Sequence, residues 1–425
     1  MLMSPRKRAW IAVLLVLAAA GAAAVAARFL WPQRYWTARH QFHKWRIDIL
    51  GRRETPKPKF VFNTGPTRDI LFCIADHFEP DWGAANAERL APFLEGFRSL
   101  ALEFQDADGC PPKITWFVKE GVGESPGDAT LGLLAPLVRQ GLGEVEVHIH
   151  LRERYDSEQR AIEDFVSLVQ KKMDAYQPYG FCHYASESGE ARVRFGFVQG
   201  DWALDNSRLD ETGQRIRCGI NTQLRLLSEV GCYADFTFPA WGSMAPTLIV
   251  DRPYYAKDDP DPKSYDKKEN VQVMAAGQSP FGDLLLVQGP NCNEAWNRSS
   301  PLSLERMKEW LAHEVEVEGR PDWLLVKIHS HSMIDLYDPQ TGALDPAAAD
   351  AYFGDSAKAF FADLLRVFND GKAYRLHFVS ARELFNVAKA AEAGFAGNPK
   401  DFRDFALPKP LCFSPLPEAN EAARR

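Results

Sequence analysis

Four of the ten histidines in this chain form two His-x-His pairs. Each pair ends a run that alternates polar and apolar residues: Glu144-Val-Glu146-Val-His148-Ile-His150 and Leu325-Val-Lys327-Ile-His329-Ser-His331. Strand side chains point to opposite faces with period two. Glu146, His148 and His150 therefore share a face, as do Lys327, His329 and His331. A fifth histidine closes the apolar run Ile70–Ala75 as Asp76-His77. Imidazoles at i and i+2 of a strand can both reach one divalent ion at about 2.0–2.1 Å, and an acidic oxygen from a neighbouring strand completes a catalytic site. Three such motifs at three strand ends point to a polar, metal-bearing centre and hence to an enzyme. Without a metal, the same groups would form a hydrogen-bonded polar rim.

The elements that must position these groups are legible in the apolar pattern. Short apolar runs recur at Asp69–Ala75, Ile114–Val118, Val145–His150, Arg194–Gln199, Tyr233–Phe238, Leu284–Gln288, Trp323–His329 and Arg375–Val379. Segments of helical period lie between most of them: Arg89–Phe104, Leu131–Gln140, Glu158–Tyr176, Asn221–Val230, Leu304–Glu316 and Asp355–Phe368. Ser157 and Ser303 supply helix starts, and Asn369-Asp-Gly371 supplies a stop. Strands alternating with helices imply βαβ units and a parallel sheet. The expected fold is α/β, a distorted (β/α) barrel of seven or eight mostly parallel strands. Catalytic groups of barrels come from the C-terminal ends of strands, where all three histidine motifs fall. Turn-rich stretches, Pro239–Ser279 and Tyr337–Ala351, interrupt the alternation.

Phe72-Cys-Ile-Ala-Asp76-His77-Phe-Glu79-Pro80, Val147-His148-Ile-His150 and Val326-Lys327-Ile328-His329 resemble, in order and content, motifs of the NodB-like polysaccharide deacetylases. The resemblance covers roughly Asp69 to Asn386. It implies a distorted (β/α) barrel that removes acetyl groups from sugars with a divalent metal, usually Zn²⁺. By the same resemblance, Asp76 matches the catalytic base and His329 the general acid. Asp235, in Tyr233-Ala-Asp235-Phe-Thr237, matches the aspartate that orients the acid. His77, His148 and His150 match the metal ligands. This chain departs from the family pattern in three places. Asp-His replaces a paired aspartate, the histidine spacing is shortened, and Phe197–Asn206 stands where an Arg-Pro-Tyr-like motif would be. If Asp76 binds metal, His77 becomes the candidate base.

The chemistry also follows from the groups themselves. Amide or ester hydrolysis needs an activated water, oxyanion stabilisation and a proton for the leaving group. A carboxylate such as Asp76 can take the proton, and an imidazolium such as His329 can give one. Lys327 and His331 share the face of His329. Trp202, Asp201, Asp205 and Asn206, in a strand-end loop, can stack on a sugar or bond its hydroxyls. The same residue types also serve as loop packing and turn caps.

Composition bounds the partners. A formal charge of −7 over 425 residues argues against nucleic acid. The seven cysteines are dispersed and lack metal-site spacing. Arg6-Lys-Arg8 precedes Ala9–Ala27, an uncharged Ala/Leu/Val-rich segment close to the roughly 20 residues that span a bilayer. The expected organisation is a transmembrane signal-anchor at 1–33, a basic-aromatic juxtamembrane helix and linker at 34–58, the barrel at 59–395 and a tail at 396–425. On this reading the protein is single-pass, with its catalytic domain on the extracytoplasmic side and a cell-surface or envelope glycan as substrate. Competing readings are another barrel hydrolase, of glycosidase or amidohydrolase type, and a catalytically silent membrane-anchored barrel that binds glycan.

Overall fold

Strand β1 (Arg68–Phe78) has every residue but the first buried, because it has neighbours along both edges and side chains packed on both faces. One edge carries a parallel partner, β11 (Trp323–Ser330), in register from Asp69 with Trp323 to Asp76 with Ser330. The other edge is shared by β12 (Tyr374–Phe378), beside the first half of β1, and β2 (Ile114–Lys119), beside the second half. From β2 the sheet continues parallel through β3 (Gly143–Ile149), β5 (Glu190–Gln199), β6 (Cys232–Asp235) and β9 (Leu284–Leu286). The short β10 (Ala295–Trp296) flanks β11 in parallel. Among the named strands of the described residues, antiparallel pairing is confined to β4 (His183–Glu187) against β5, and to β7 (Tyr254–Ala256) against β8 (Val271–Val273) and β9. The fold is therefore a mixed α/β sheet of mostly parallel strands.

The structure, a computed structural model, describes residues 58–413 apart from 81–86, 188–189, 211–212, 241–244, 246, 248 and 339–340. The expected anchor and juxtamembrane helix lie outside the described residues. Among the described residues, no helix is long and apolar enough to cross a membrane. The main compact unit comprises Lys59–Arg208 and Arg217–Arg425, and Leu209 and Arg215, outside it, form an isolated antiparallel bridge.

Alternation splits the apolar residues into two layers. Ile70, Phe72, Ile74 and Phe78 of β1 join the larger core, with Val145 and Val147 of β3 and Val326 and Ile328 of β11. Leu71, Cys73 and Ala75 join a second core with Phe117, Val198, Phe236, Leu285 and Leu325. That second core exists because the sheet rolls up. Phe117 on β2 and Phe236, just past β6, lie 5.6 Å apart between ring centroids, although β3 and β5 separate their strands. Lys327 of β11 donates to the carbonyls of Phe236 (2.7 Å) and Phe238 (2.6 Å) across the same interior. The closing seam is irregular: Val315 accepts from the Leu325 amide, and Glu318 exchanges backbone bonds with Met274 and Ala276.

The larger core lies under helices α1 (Ala87–Ala101), α2 (Thr130–Arg139), α3 (Glu158–Tyr176), α4 (Gln223–Glu229), α5 (Leu304–Ala312), α6 (Ser332–Asp335), α7 (Pro346–Phe353) and α8 (Asp355–Phe368). Ser157 and Ser303 cap α3 and α5 through hydrogen bonds to Arg160 and Arg306 amides. The last helix, α9 (Ala381–Glu392), is different. It has buried residues on all sides and joins the inner core through Leu384, Phe385, Val387 and Ala388. A capping box between Ser380 and Glu383 starts it. Its Arg382 meets Glu144, at the first turn of β3, at 2.8 Å. At the same end His377 bridges Asp69 (2.9 Å) and Asp108 (2.7 Å), and Arg403 reaches Asp108 at 2.8 Å. Charged pairs therefore fix the end of the sheet where the strands begin.

Candidate functional site

The inner faces of β1 and β11 run from apolar residues to histidine at their C-terminal ends, and that of β3 runs from Glu144 and Glu146 to histidine. On β1 the order is Leu71, Cys73, Ala75, His77 and then Glu79; on β11 it is Trp323, Leu325, Lys327, His329 and then His331. On β3, His148 precedes His150. Rolling the sheet brings all five imidazoles together. The His77 ring centroid lies 4.9 Å from His148, 5.5 Å from His329 and 4.5 Å from His331, and His148 lies 4.5 Å from His150.

Glu79 sits among them. Its Oε1 is 3.1 Å from His148 Nε2 and 3.8 Å from His331 Nε2, and its Oε2 is 3.5 Å from His150 Nε2. The other nitrogens of two rings are already committed: His148 Nδ1 donates to the Val198 carbonyl (2.9 Å), and His150 Nδ1 donates to Glu120 (3.1 Å). Each Nε2 therefore turns toward Glu79 as an acceptor facing an acceptor, an arrangement that calls for a proton or a cation between them. Metal-binding histidines are oriented in this way, through an N–H held by a carbonyl or carboxylate. Ligand atoms of His77, Glu79 and His148 all lie within 4.8 Å of one another. Two imidazoles and a carboxylate form a donor set that suits zinc at a hydrolytic centre. Burial and the neighbouring His331, His148 and His329 hold the His77 pKa well below its ordinary value, so its ring stays neutral. Burial opposes charge on Glu79, but the bond and charge of His148, with His150 and His331, hold its carboxyl down at about 2.

Two further groups of acids and histidines approach as closely, but most of their polar atoms are engaged, Asp108 Oδ1 and His183 Nδ1 excepted. Asp108 and His377 belong to the network with Arg403 and Asp69. Glu144 pairs with Arg382, and Glu146 accepts from His183 (3.0 Å), Tyr233 (2.5 Å) and the Gly196 amide (2.5 Å).

His329 stands apart in its partner. Its Nδ1 donates to Glu294 Oε1 at 3.1 Å, which leaves Nε2 open. With His331 it lines a cleft of about 250 Å³, together with Trp296, Arg298, Ile334 and Asp335. Backbone fit is tight on the opposite side. A Cβ on Gly200 would lie 2.3 Å from the His150 ring, so only glycine allows β5 to end against that histidine.

The remaining expected site residues lie elsewhere. Asp76 is on the outer face of β1, opposite His77, because the two are adjacent on a strand. It is fully buried and accepts from Ser330 Oγ (2.6 Å), the Ser332 amide (2.9 Å) and Ser332 Oγ (2.8 Å). Burial lifts its pKa against those bonds. Asp235 accepts from the amide and hydroxyl of Thr237, and burial pushes its carboxyl up to about 7. Glu294, not Asp235, is the acid beside His329. Lys327 is buried on the two carbonyls already described. Asp205 is buried and bonds the Ser264 amide, and Asn206 bonds Asn221. Trp202 packs half-buried against the outer core. Asp201 faces three arginines.

Sequence reasoning passed over Glu79, Glu120 and Glu294. The first carried a signal: two residues beyond His77, it extends the same strand face. Glu120 ends the stretch after β2 and Glu294 lies in an irregular segment before β10, where no periodicity marks either.

No family model and no curated protein matches the sequence. Among solved structures, similarity extends to a 4-alpha-glucanotransferase from Thermococcus litoralis, with 12% identity over 76% of this chain and 40% of that one, at a TM-score of 0.39. A provisionally assigned glycoside hydrolase/deacetylase from Parabacteroides distasonis shares 12% identity over 79% and 72% of the respective chains, at 0.35. An alpha-mannosidase from Enterococcus faecalis shares 9% over 78% and 30%, at 0.38. The chain thus spans less than half of the glucanotransferase and the mannosidase. With TM-scores below 0.5, none of these likenesses assigns a family or a reaction.

Proposed function

We propose that this chain is a metal-dependent hydrolase that removes acetyl groups from a carbohydrate, with His77, Glu79 and His148 holding a divalent ion, most simply Zn²⁺. The observation that carries the reading is the convergence of those three residues, with the Nε2 atoms of His148 and His150 both turned on Glu79. A bound ion would supply Lewis acidity, lowering the pKa of a water and polarising a carbonyl. His329, with its ring fixed by Glu294, presents Nε2 to the cleft and delivers a proton to the leaving amine or alkoxide. His331 lines the same cleft and accepts the proton lost by water. Glu120 holds His150 in place through both its ring and its amide (2.8 Å). Asp76 keeps the chain after β11 in position and so acts on His331 from behind. The polar cleft has room for a sugar unit and its acyl group. With the apolar stretch 9–27 read as an anchor, the substrate is an envelope glycan.

The experiment is metal analysis of the purified chain, paired with acetate release from acetylated oligosaccharides. About one ion per chain, and release that stops with chelator and returns with Zn²⁺, supports the reading. A metal-free chain that gains neither stability nor activity from Zn²⁺ overturns it.

A further inference from the structure

Beside the histidine centre, one carboxylate is ringed by three guanidinium groups. Asp201 follows Gly200, whose backbone touches the His150 ring, and Arg152 lies two residues beyond His150. Arg152 Nε is 3.6 Å from Asp201 Oδ2, Arg217 Nε is 3.7 Å from the same oxygen, and Arg208 Nη1 is 3.9 Å from Oδ1. At these lengths none is a side-chain hydrogen bond. The one hydrogen bond among them runs from Arg208 to the Asp201 backbone carbonyl, at 2.7 Å. Among the described residues, none of the three arginines comes within 4.0 Å of a second carboxylate. Three positive charges thus face one negative charge, and most of their N–H donors remain unspent. All three side chains are exposed by 36–45%, so a ligand can reach them. Asp201, Trp202 and Arg217 also hold left-handed backbone, at φ 57°, 52° and 72°, a cost that is usually met where geometry serves a site.

The geometry points to an anion subsite: Arg152, Arg208 and Arg217 bind an oxyanion, carboxylate or phosphate, on a sugar next to the one that reacts. This rests on the hydrolase reading and narrows its substrate to an acidic glycan. Planar guanidinium forks suit both anions, since each offers paired oxygens for bidentate bonding. Asp201 holds the forks apart and competes with the incoming anion.

The test measures binding of three N-acetylated probes to the full chain by calorimetry: neutral tetra-N-acetylchitotetraose, a hyaluronan tetrasaccharide bearing carboxylates, and N-acetylglucosamine 6-phosphate. We expect one or both anionic probes to bind at least tenfold more tightly than the neutral one, and the one that does identifies the anion. The double variant Arg152→Gln/Arg217→Gln should lose that preference while keeping the wild-type thermal midpoint. Asp201→Asn should tighten the anionic probe severalfold, a gain that a folding defect cannot mimic. Equal affinity for charged and neutral probes overturns the subsite, as does a preference that survives in the well-folded double variant. Acetate release without charge preference sinks the subsite alone. Charge preference without acetate release upholds the subsite and sinks the hydrolase.

Discussion

Glu79 Oε1 lies 3.1 Å from His148 Nε2, while the opposite nitrogen of that ring donates to the Val198 carbonyl at 2.9 Å. The ring is thereby locked with its free lone pair aimed at a carboxylate, and this lock is the most specific property of the centre.

Its first consequence concerns metal content. Glu79→Gln keeps the volume and removes the charge, and His148→Ala removes a donor outright. Either variant should bind Zn²⁺ at least ~100-fold more weakly, a loss no smaller than that caused by removing a ligand's supporting group. Plasma mass spectrometry after dialysis against a weak chelator reads it. Wild-type occupancy in both variants would rule these residues out as ligands.

The His329–Glu294 pair separates chemistry from metal binding. His329→Gln should lower kcat by ~10² to 10⁴, the usual worth of a positioned proton donor. Glu294→Gln should lower it less, by roughly tenfold or more, because the ring loses only its fixed orientation. Metal content should stay at the wild-type level in both. Unchanged acetate release in His329→Gln would remove that residue from the mechanism.

Close packing gives a third test. A methyl on Gly200 must displace the His150 ring, and misplacement near 1 Å at a reacting centre costs about 10²-fold in rate. Gly200→Ala should therefore lose most activity and also lower the urea midpoint, since the added carbon would come within 2.9 Å of the His150 Cα. Full activity with normal metal content would mean that the His150 position is not critical.

Stability should depend on pH through the opposite end of the sheet. Burial opposes charge on His377, yet its bonds to Asp108 and Asp69 outweigh that and raise its pKa above 6.5. A raised pKa means that this contribution is complete below about 6.5 and fades as pH climbs through the folded value. His377→Asn should thus cost more at pH 5.5, about 3 kcal/mol as for a broken buried pair, than at pH 9. Urea unfolding at both values measures the difference, and equal costs would contradict the assignment.

Much of this architecture could be read from residue patterns. All eight apolar runs became strands and all six helical stretches became helices, because each follows a strong period of two or 3.6. The rest had no such signal. Strands β7, β8 and β10 have only two or three residues each. The convergence of five histidines followed from strand ends alone, since parity decides which face a side chain takes. Parity also explains Asp76: next to His77, it had to point the other way. What sequence could not give was the long-range partner of each ring, since Glu294 lies in an irregular segment 35 residues from His329.

The edge of β1 that receives β11 has a consequence for biosynthesis. Phe78 leaves the ribosome long before Trp323, and translation at ~5–20 residues per second separates them by roughly 10–50 s. For that interval an eleven-residue strand whose residues 70–75 are all apolar has one edge with no hydrogen-bonding mate. A nascent chain in this condition is an evident client for a holding chaperone. Slowed synthesis between residues 78 and 323 should raise its aggregation more than slowed synthesis after 378.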